Sequence, residues 1–207
     1  MSTILCFGDS ITFGEGYNGG WCGYLKKWFE QLNDGNKVYN LGIPGQDSSE
    51  LLERLNIETK ARLRSKEQMD ACTTIIAIGT NDTKYNNFVS EENILIKEGK
   101  FRSNVLELIR NATSLNQKVA FLGLLPVDES KTLQRSGTVL TNERVTRFNN
   151  IIKECCKHEN LPFLDINKIM LKKDYKILLE DGLHPNAKGY RFIFTKVRNF
   201  LKKNDLL

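Results

Sequence analysis

The stretch Thr74-Ile75-Ile76-Ala77-Ile78 offers no polar face to whatever strand it forms, and this limits the fold more than any other feature. A strand apolar on both sides has to be covered on both sides, which is the situation of a parallel sheet held between two layers of helices. Four more short runs read the same way, giving expected strands at Thr3–Phe7, Lys37–Leu41, Thr73–Ile78, Lys118–Leu124 and Pro162–Ile166. Between them the period changes from two to about 3.6. Trp21, Leu25, Trp28, Phe29 and Leu32 form one helical stripe, and Leu51, Leu52 and Leu55 a second behind the N-cap region Asp47-Ser48-Ser49. Phe101, Val105, Leu108, Ile109 and Ala112 form a third, Val145, Phe148, Ile151, Ile152 and Cys155 a fourth, and Tyr190, Ile193, Phe194, Val197, Phe200 and Leu201 a fifth. Such alternation implies right-handed crossovers and a three-layer α/β/α sandwich. With 207 residues and no linker, repeat or low-complexity segment, one domain over 1–207 is expected.

Composition removes several classes. A chain with 40% hydrophobic and 27% charged residues is neither disordered nor membrane-spanning, and no apolar run approaches the ~20 residues that a bilayer requires. Membrane insertion is therefore not expected. The start, Met1-Ser2-Thr3, has no basic region and reads as the approach to a strand, not as a signal peptide. Cys6, Cys72 and the adjacent Cys155 and Cys156 are scattered among strand and helix patterns, which points to reduced thiols in the cytoplasm. No Cys/His cluster has zinc spacing, so no metal is expected. The net charge of +5 is densest at Lys196, Arg198, Lys202 and Lys203, which reads as a solvated helix end without the interleaved aromatics of a nucleic-acid site.

In a parallel sheet, functional residues gather at the carboxyl ends of the strands. Directly after Ile4-Leu5-Cys6-Phe7 comes Gly8-Asp9-Ser10, a tight turn that would hold a serine at that edge. Serine needs a base, and the chain has two histidines. His158 lies in a polar helix end. His184 follows Asp181 by three residues across Gly182, so one turn can bring the two side chains together. Asp181 would then orient the ring and leave Nε2 to take the serine proton. Pro185 keeps His184 out of helical torsions and opens the last helix. Donors for an oxyanion are the N–H of Ser10, the N–H of Gly45 in Asn40-Leu41-Gly42-Ile43-Pro44-Gly45, and the side chain of Asn81 in Gly79-Thr80-Asn81-Asp82. Asp9 and Asp82 read as residues holding these turns by side-chain-to-backbone hydrogen bonds.

These four ordered blocks resemble the SGNH hydrolase family, also called GDSL esterases and lipases. Ser10 stands in the nucleophile block, with Ile11 where the family name has leucine. Gly45 stands in the second block, where Gly42 competes for the role, Asn81 in the third, and His184 with Asp181 in the last. The resemblance spans residues 4 to 190. It implies a flavodoxin-like sheet of order 2-1-3-4-5, no metal or organic cofactor, and hydrolysis of a small-molecule acyl ester, acetyl or short-chain, through an acyl-enzyme intermediate. Thioesterase, lysophospholipase and acyltransferase chemistry would use the same site. The longest polar loop, Pro126–Leu140, and the Phe13–Gly20 loop are expected to line the pocket. Phe13, Tyr17 and Trp21 could form an acyl wall or pack in the core. The rival from another class is a non-catalytic module cradling an anion in the Gly8–Gly20 loop. It lacks Walker or Rossmann spacing and leaves Asp181 and His184 unused. Oligomeric state is not legible.

Overall fold

In the computed structural model, which describes residues 2–33, 35–115, 118–133 and 137–207, alternate residues of the first strand feed two separate cores. β1 (Thr3–Gly8) turns Leu5 and Phe7 to one face and Ile4 and Cys6 to the other, and all four are buried. It is flanked by β2 (Lys37–Gly42) and β3 (Cys72–Ala77), followed by β4 (Lys118–Leu122) and β5 (Phe163–Leu164). All neighbouring pairs are parallel, and the order of these five strands is 2-1-3-4-5. This is the sheet expected from strands apolar on both faces.

The helices divide between the faces. Against Ile4 and Cys6 lie α1 (Gly20–Glu30) and α5 (Ala187–Lys203), through Trp21, Leu25 and Phe29 from one and Ile193, Val197 and Leu201 from the other. Against Leu5 and Phe7 lie α2 (Ser48–Arg62), α3 (Glu98–Thr113) and α4 (Asn142–His158). The ring centres of Phe101 and Phe148 are 4.6 Å apart where α3 meets α4. Each large apolar side chain buried in this way stabilises the fold by about 1.5–3 kcal/mol. Trp21 is fully buried in the α1–α5 core, so of its two expected roles it takes the packing one. All five cysteines are buried and free.

The strand boundaries differ from the sequence reading: β1 and β2 each run one residue further, to Gly8 and Gly42, and β3 is shifted back by one. β4 ends at Leu122, not Leu124. β5 keeps only Phe163 and Leu164, because the Asp165 side chain accepts the Lys168 N–H (3.1 Å) and starts the helical turn Ile166–Leu171. A two-residue antiparallel ribbon pairs Tyr85–Asn86 with Thr138–Val139, the latter inside the Pro126–Leu140 segment expected to be loop. Residues 134–136 of the Pro126–Leu140 loop, and Met1 of the start, lie outside the described residues.

The register positions the site. Gly8 pairs with Gly42 on one side and Ala77 on the other, so β1, β2 and β3 end level. The segments carrying Ser10, Gly45 and Asn81 therefore leave the sheet side by side along one edge.

Candidate active site

Ser10 begins a short helical turn, Ser10–Phe13, immediately beyond β1. Asp9 caps that turn, its Oδ1 accepting the Ile11 N–H at 2.9 Å. As the first residue of the turn, Ser10 has no intrahelical acceptor for its own N–H. Burial pushes the Asp9 carboxyl up to about 6, although hydrogen bonds from Ile11 and Thr80 and the nearby His184 oppose this. β2 meets this turn at Gly42, where a Cβ would sit 2.3 Å from Phe13 N and 2.8 Å from Asp9 O. Only glycine allows the two segments so close. The Gly42 N–H is already given to Asn40 Oδ1 at 3.1 Å, whereas Gly45 is exposed with open space around it.

Asn81 starts a 3₁₀ turn after β3 and is buried, 8% exposed. Its Nδ2 donates to the main-chain oxygen of Gln46 at 2.8 Å, which ties it to the residue after Gly45. An amide has two N–H donors, so a second remains for a ligand. Asp82 ties its turn to Ser48 across the sheet edge. Both of its carboxylate oxygens accept the Ser48 N–H (3.1 and 3.2 Å), and Oδ1 also takes the Ser48 hydroxyl. Asn104 from α3 donates to Ser48 Oγ at 2.8 Å. Burial raises the Asp82 carboxyl to about 7 against these hydrogen bonds, and Asp47 adds to the rise.

His184 arrives from the far end of the chain. Its Nε2 lies 2.9 Å from Ser10 Oγ, and its Nδ1 lies 2.9 Å from Asp181 Oδ2. The link between His184 and Asp181 is an Asx-type turn and not a helical one. Asp181 Oδ1 accepts the N–H groups of Leu183 (3.0 Å) and His184 (2.7 Å), while Gly182 takes φ +88°. Partial burial works to raise the Asp181 carboxyl, but hydrogen bonds from the His184 ring, its main chain and Leu183 outweigh this and hold it well below the carboxylate range. An ionised carboxylate only accepts, so Nδ1 carries the ring proton and Nε2 faces Ser10 with its lone pair. Pro185 precedes the last helix by two residues. Asn186 caps α5, its side chain accepting the Gly189 N–H at 3.0 Å.

Supports that the sequence did not reveal surround the His184 loop. Asp128 N–H donates to Gly182 O (2.8 Å) and Lys131 Nζ to Glu180 O (3.0 Å). The described part of the Pro126–Leu140 loop thus braces the loop that carries Asp181 and His184. Tyr17 packs at a tilt against Tyr190, with ring centres 5.3 Å apart, and donates to Glu180 Oε2 at 3.0 Å. Phe13 and Ile43 remain exposed. His158 lies exposed at the end of α4, its Nδ1 2.9 Å from Glu159 Oε1.

The model of the GDSL-like Lipase/Acylhydrolase family matches residues 6–192, nine-tenths of the chain. The chain belongs to that family. It is accordingly a carboxylic-ester hydrolase. Relatives are distant. A Bacillus subtilis protein named YpmR is 27% identical, over 98% of this chain and 82% of its own. A Bos taurus isoamyl acetate-hydrolyzing esterase 1 homolog is 24% identical, over 97% of this chain and 81% of its own. The crystal structure of a lipase/acylhydrolase from Enterococcus faecalis superposes with a TM-score of 0.77 at 24% identity, covering 99% and 97% of the two chains, which supports the fold. No helix among the described residues is long and apolar enough to cross a membrane.

Proposed function

We propose that the chain is a serine esterase in which Ser10, His184 and Asp181 form the catalytic triad, and that its substrate is a small acetyl or short-chain ester. The observation that carries this is the pair of 2.9 Å contacts running from Ser10 Oγ through the two ring nitrogens of His184 to Asp181. Ser10 Oγ attacks the ester carbonyl carbon while its proton passes to His184 Nε2, and Asp181 stabilises the imidazolium. The oxygen of the tetrahedral intermediate is received by the N–H of Ser10, the N–H of Gly45 and the side-chain amide of Asn81. Gly45 is favoured over Gly42 because the Gly42 N–H is engaged by Asn40. The intermediate collapses as His184 returns the proton to the departing alkoxide, leaving an acyl-Ser10 ester and a free alcohol. Water then attacks the acyl group, gives its proton to His184, and the acid leaves as Ser10 regains a hydrogen.

A small acyl group is suggested by the bovine relative, named for isoamyl acetate, and by the limited apolar surface that exposed Phe13 and Ile43 offer beside Ser10 and Gly45. Asp9 and Asp82 serve this site indirectly, by holding the turns that carry Ser10 and Asn81. The whole chain is taken to act as one hydrolase domain. The cytoplasm suits its five free, buried thiols. A series of p-nitrophenyl esters, run with and without an alcohol acceptor, tests the reading. Turnover should be highest for acetate and butyrate and fall for octanoate, with free acid as the product. Preference for long chains, or transfer to the alcohol in place of acid release, would contradict it.

A further inference from the structure

A half-buried cation lies beneath the proposed oxyanion donors, and every oxygen it binds is neutral. Arg54, on α2, donates from Nε to Gln46 Oε1 at 2.7 Å. Its Nη2 donates to the same amide oxygen, to Leu41 O at 2.8 Å and to Gly8 O at 3.4 Å. The guanidinium carbon stands 5.5 Å from the centre of the Phe7 ring. Glu58, one turn along the helix, pairs with Arg62 instead. Arg54 thus grips the carboxyl ends of β1 and β2 together with the side chain of Gln46, the residue that follows Gly45 and whose main-chain oxygen receives the Asn81 amide.

Gln46 passes that grip onward. It is buried, its N–H donates to Ile43 O at 3.2 Å, and its carbonyl receives the Asn81 amide at 2.8 Å. With its side chain clamped and its N–H closing the turn onto Ile43, Gln46 fixes the turn that carries the Gly45 N–H and also the oxygen that orients Asn81. The clamp needs several parallel donors from one planar group, which arginine supplies and the single ammonium of lysine does not.

We propose that Arg54 is a positioning residue for the oxyanion hole, acting through Gln46 on both the Gly45 N–H and the Asn81 amide. This rests on the esterase reading above. Misalignment of donors by a fraction of an ångström weakens the transition state far more than substrate binding, so the effect belongs in kcat.

The test measures kcat and KM on p-nitrophenyl acetate for Arg54→Met and Arg54→Lys, each also in an Asn81→Ala background, with thermal melts as a check on folding. Arg54→Met should lower kcat by ~10- to 100-fold with KM within about threefold of the parent. Arg54→Lys should recover only a minor part. In the Asn81→Ala background the further loss from Arg54→Met should shrink to about threefold or less, because much of the interaction it supports is already gone. If Arg54→Met does not fold, Gln46→Met carries the same test, since it removes the acceptor and leaves the arginine. It should cost at least ~5-fold in kcat. A kcat within about twofold of the parent, or a loss as large in the Asn81→Ala background as in the parent, overturns the proposal. Labelling of Ser10 by a fluorophosphonate in the parent separates the two failures. If Ser10 is labelled and the Arg54 losses are additive, the positioning role alone falls. If Ser10 is not labelled, both readings fall.

Discussion

His184 Nε2 and Ser10 Oγ stand 2.9 Å apart although 174 positions separate them in the chain. Nothing local joins them. The contact exists because β1 lies inside the sheet between β2 and β3, with its carboxyl end beside the loop that precedes α5, and because Asp181 uses three hydrogen bonds to hold that loop in one shape.

With only two histidines in the chain, the assignment of the base is sharply testable. His184→Ala is expected to lower kcat/KM by on the order of 10⁴- to 10⁶-fold. His158→Ala should change nothing, since His158 sits exposed beside Glu159 at the end of α4. Asp181→Asn should cost about 10⁴-fold, because a neutral amide permits the wrong imidazole tautomer. Steady-state kinetics on one ester checks all three, and full activity in His184→Ala would remove the triad.

Asn81 should act on the transition state. Asn81→Ala is expected to reduce kcat by roughly 10²- to 10³-fold with little change in KM. A rise in KM at constant kcat would make Asn81 a substrate-binding residue instead.

Much of this architecture was legible in the sequence. The apolar run Thr74–Ile78 demanded a sheet covered on both faces, and Ser10, Gly45 and Asn81 were each expected within a few residues of a strand end, as they are beyond β1, β2 and β3. Capping was legible too, since Asp47 does open α2, and Glu50 completes the capping box. What escaped were partnerships between segments far apart in sequence. Asp82 read as a brace for its own turn, yet it binds Ser48 across the sheet edge. Arg54 carried no signal in the sequence, because its partners Gln46, Leu41 and Gly8 are set by register and not by spacing. Trp21 was ambiguous for a related reason. A helical stripe says which residues share a face, but not whether another helix covers it.

The buried Asp82 gives the fold a pH dependence with a definite sign. Its carboxyl is raised from an ordinary value near 4 to about 7, mainly by burial, so between those limits the folded protein holds a proton that the unfolded chain has lost. The proton is taken up on folding, and this contribution to stability is full below pH ~4 and declines as pH rises towards about 7. Asp82→Asn, which cannot ionise, should therefore gain on the parent by on the order of 2–4 kcal/mol across that range. Urea unfolding of both proteins at several pH values reads this directly. A gap that stayed constant, or narrowed in the parent's favour as pH rises, would contradict the assignment.

The central claim is that Ser10 is the nucleophile, and covalent labelling tests it most directly. Incubation of the purified protein with a fluorophosphonate, followed by intact-mass measurement and peptide mapping, should show one adduct per chain, located on Ser10. Labelling should be lost in Ser10→Ala and strongly slowed in His184→Ala. An adduct that persists in Ser10→Ala, or that maps to another residue of the parent protein, would contradict the account.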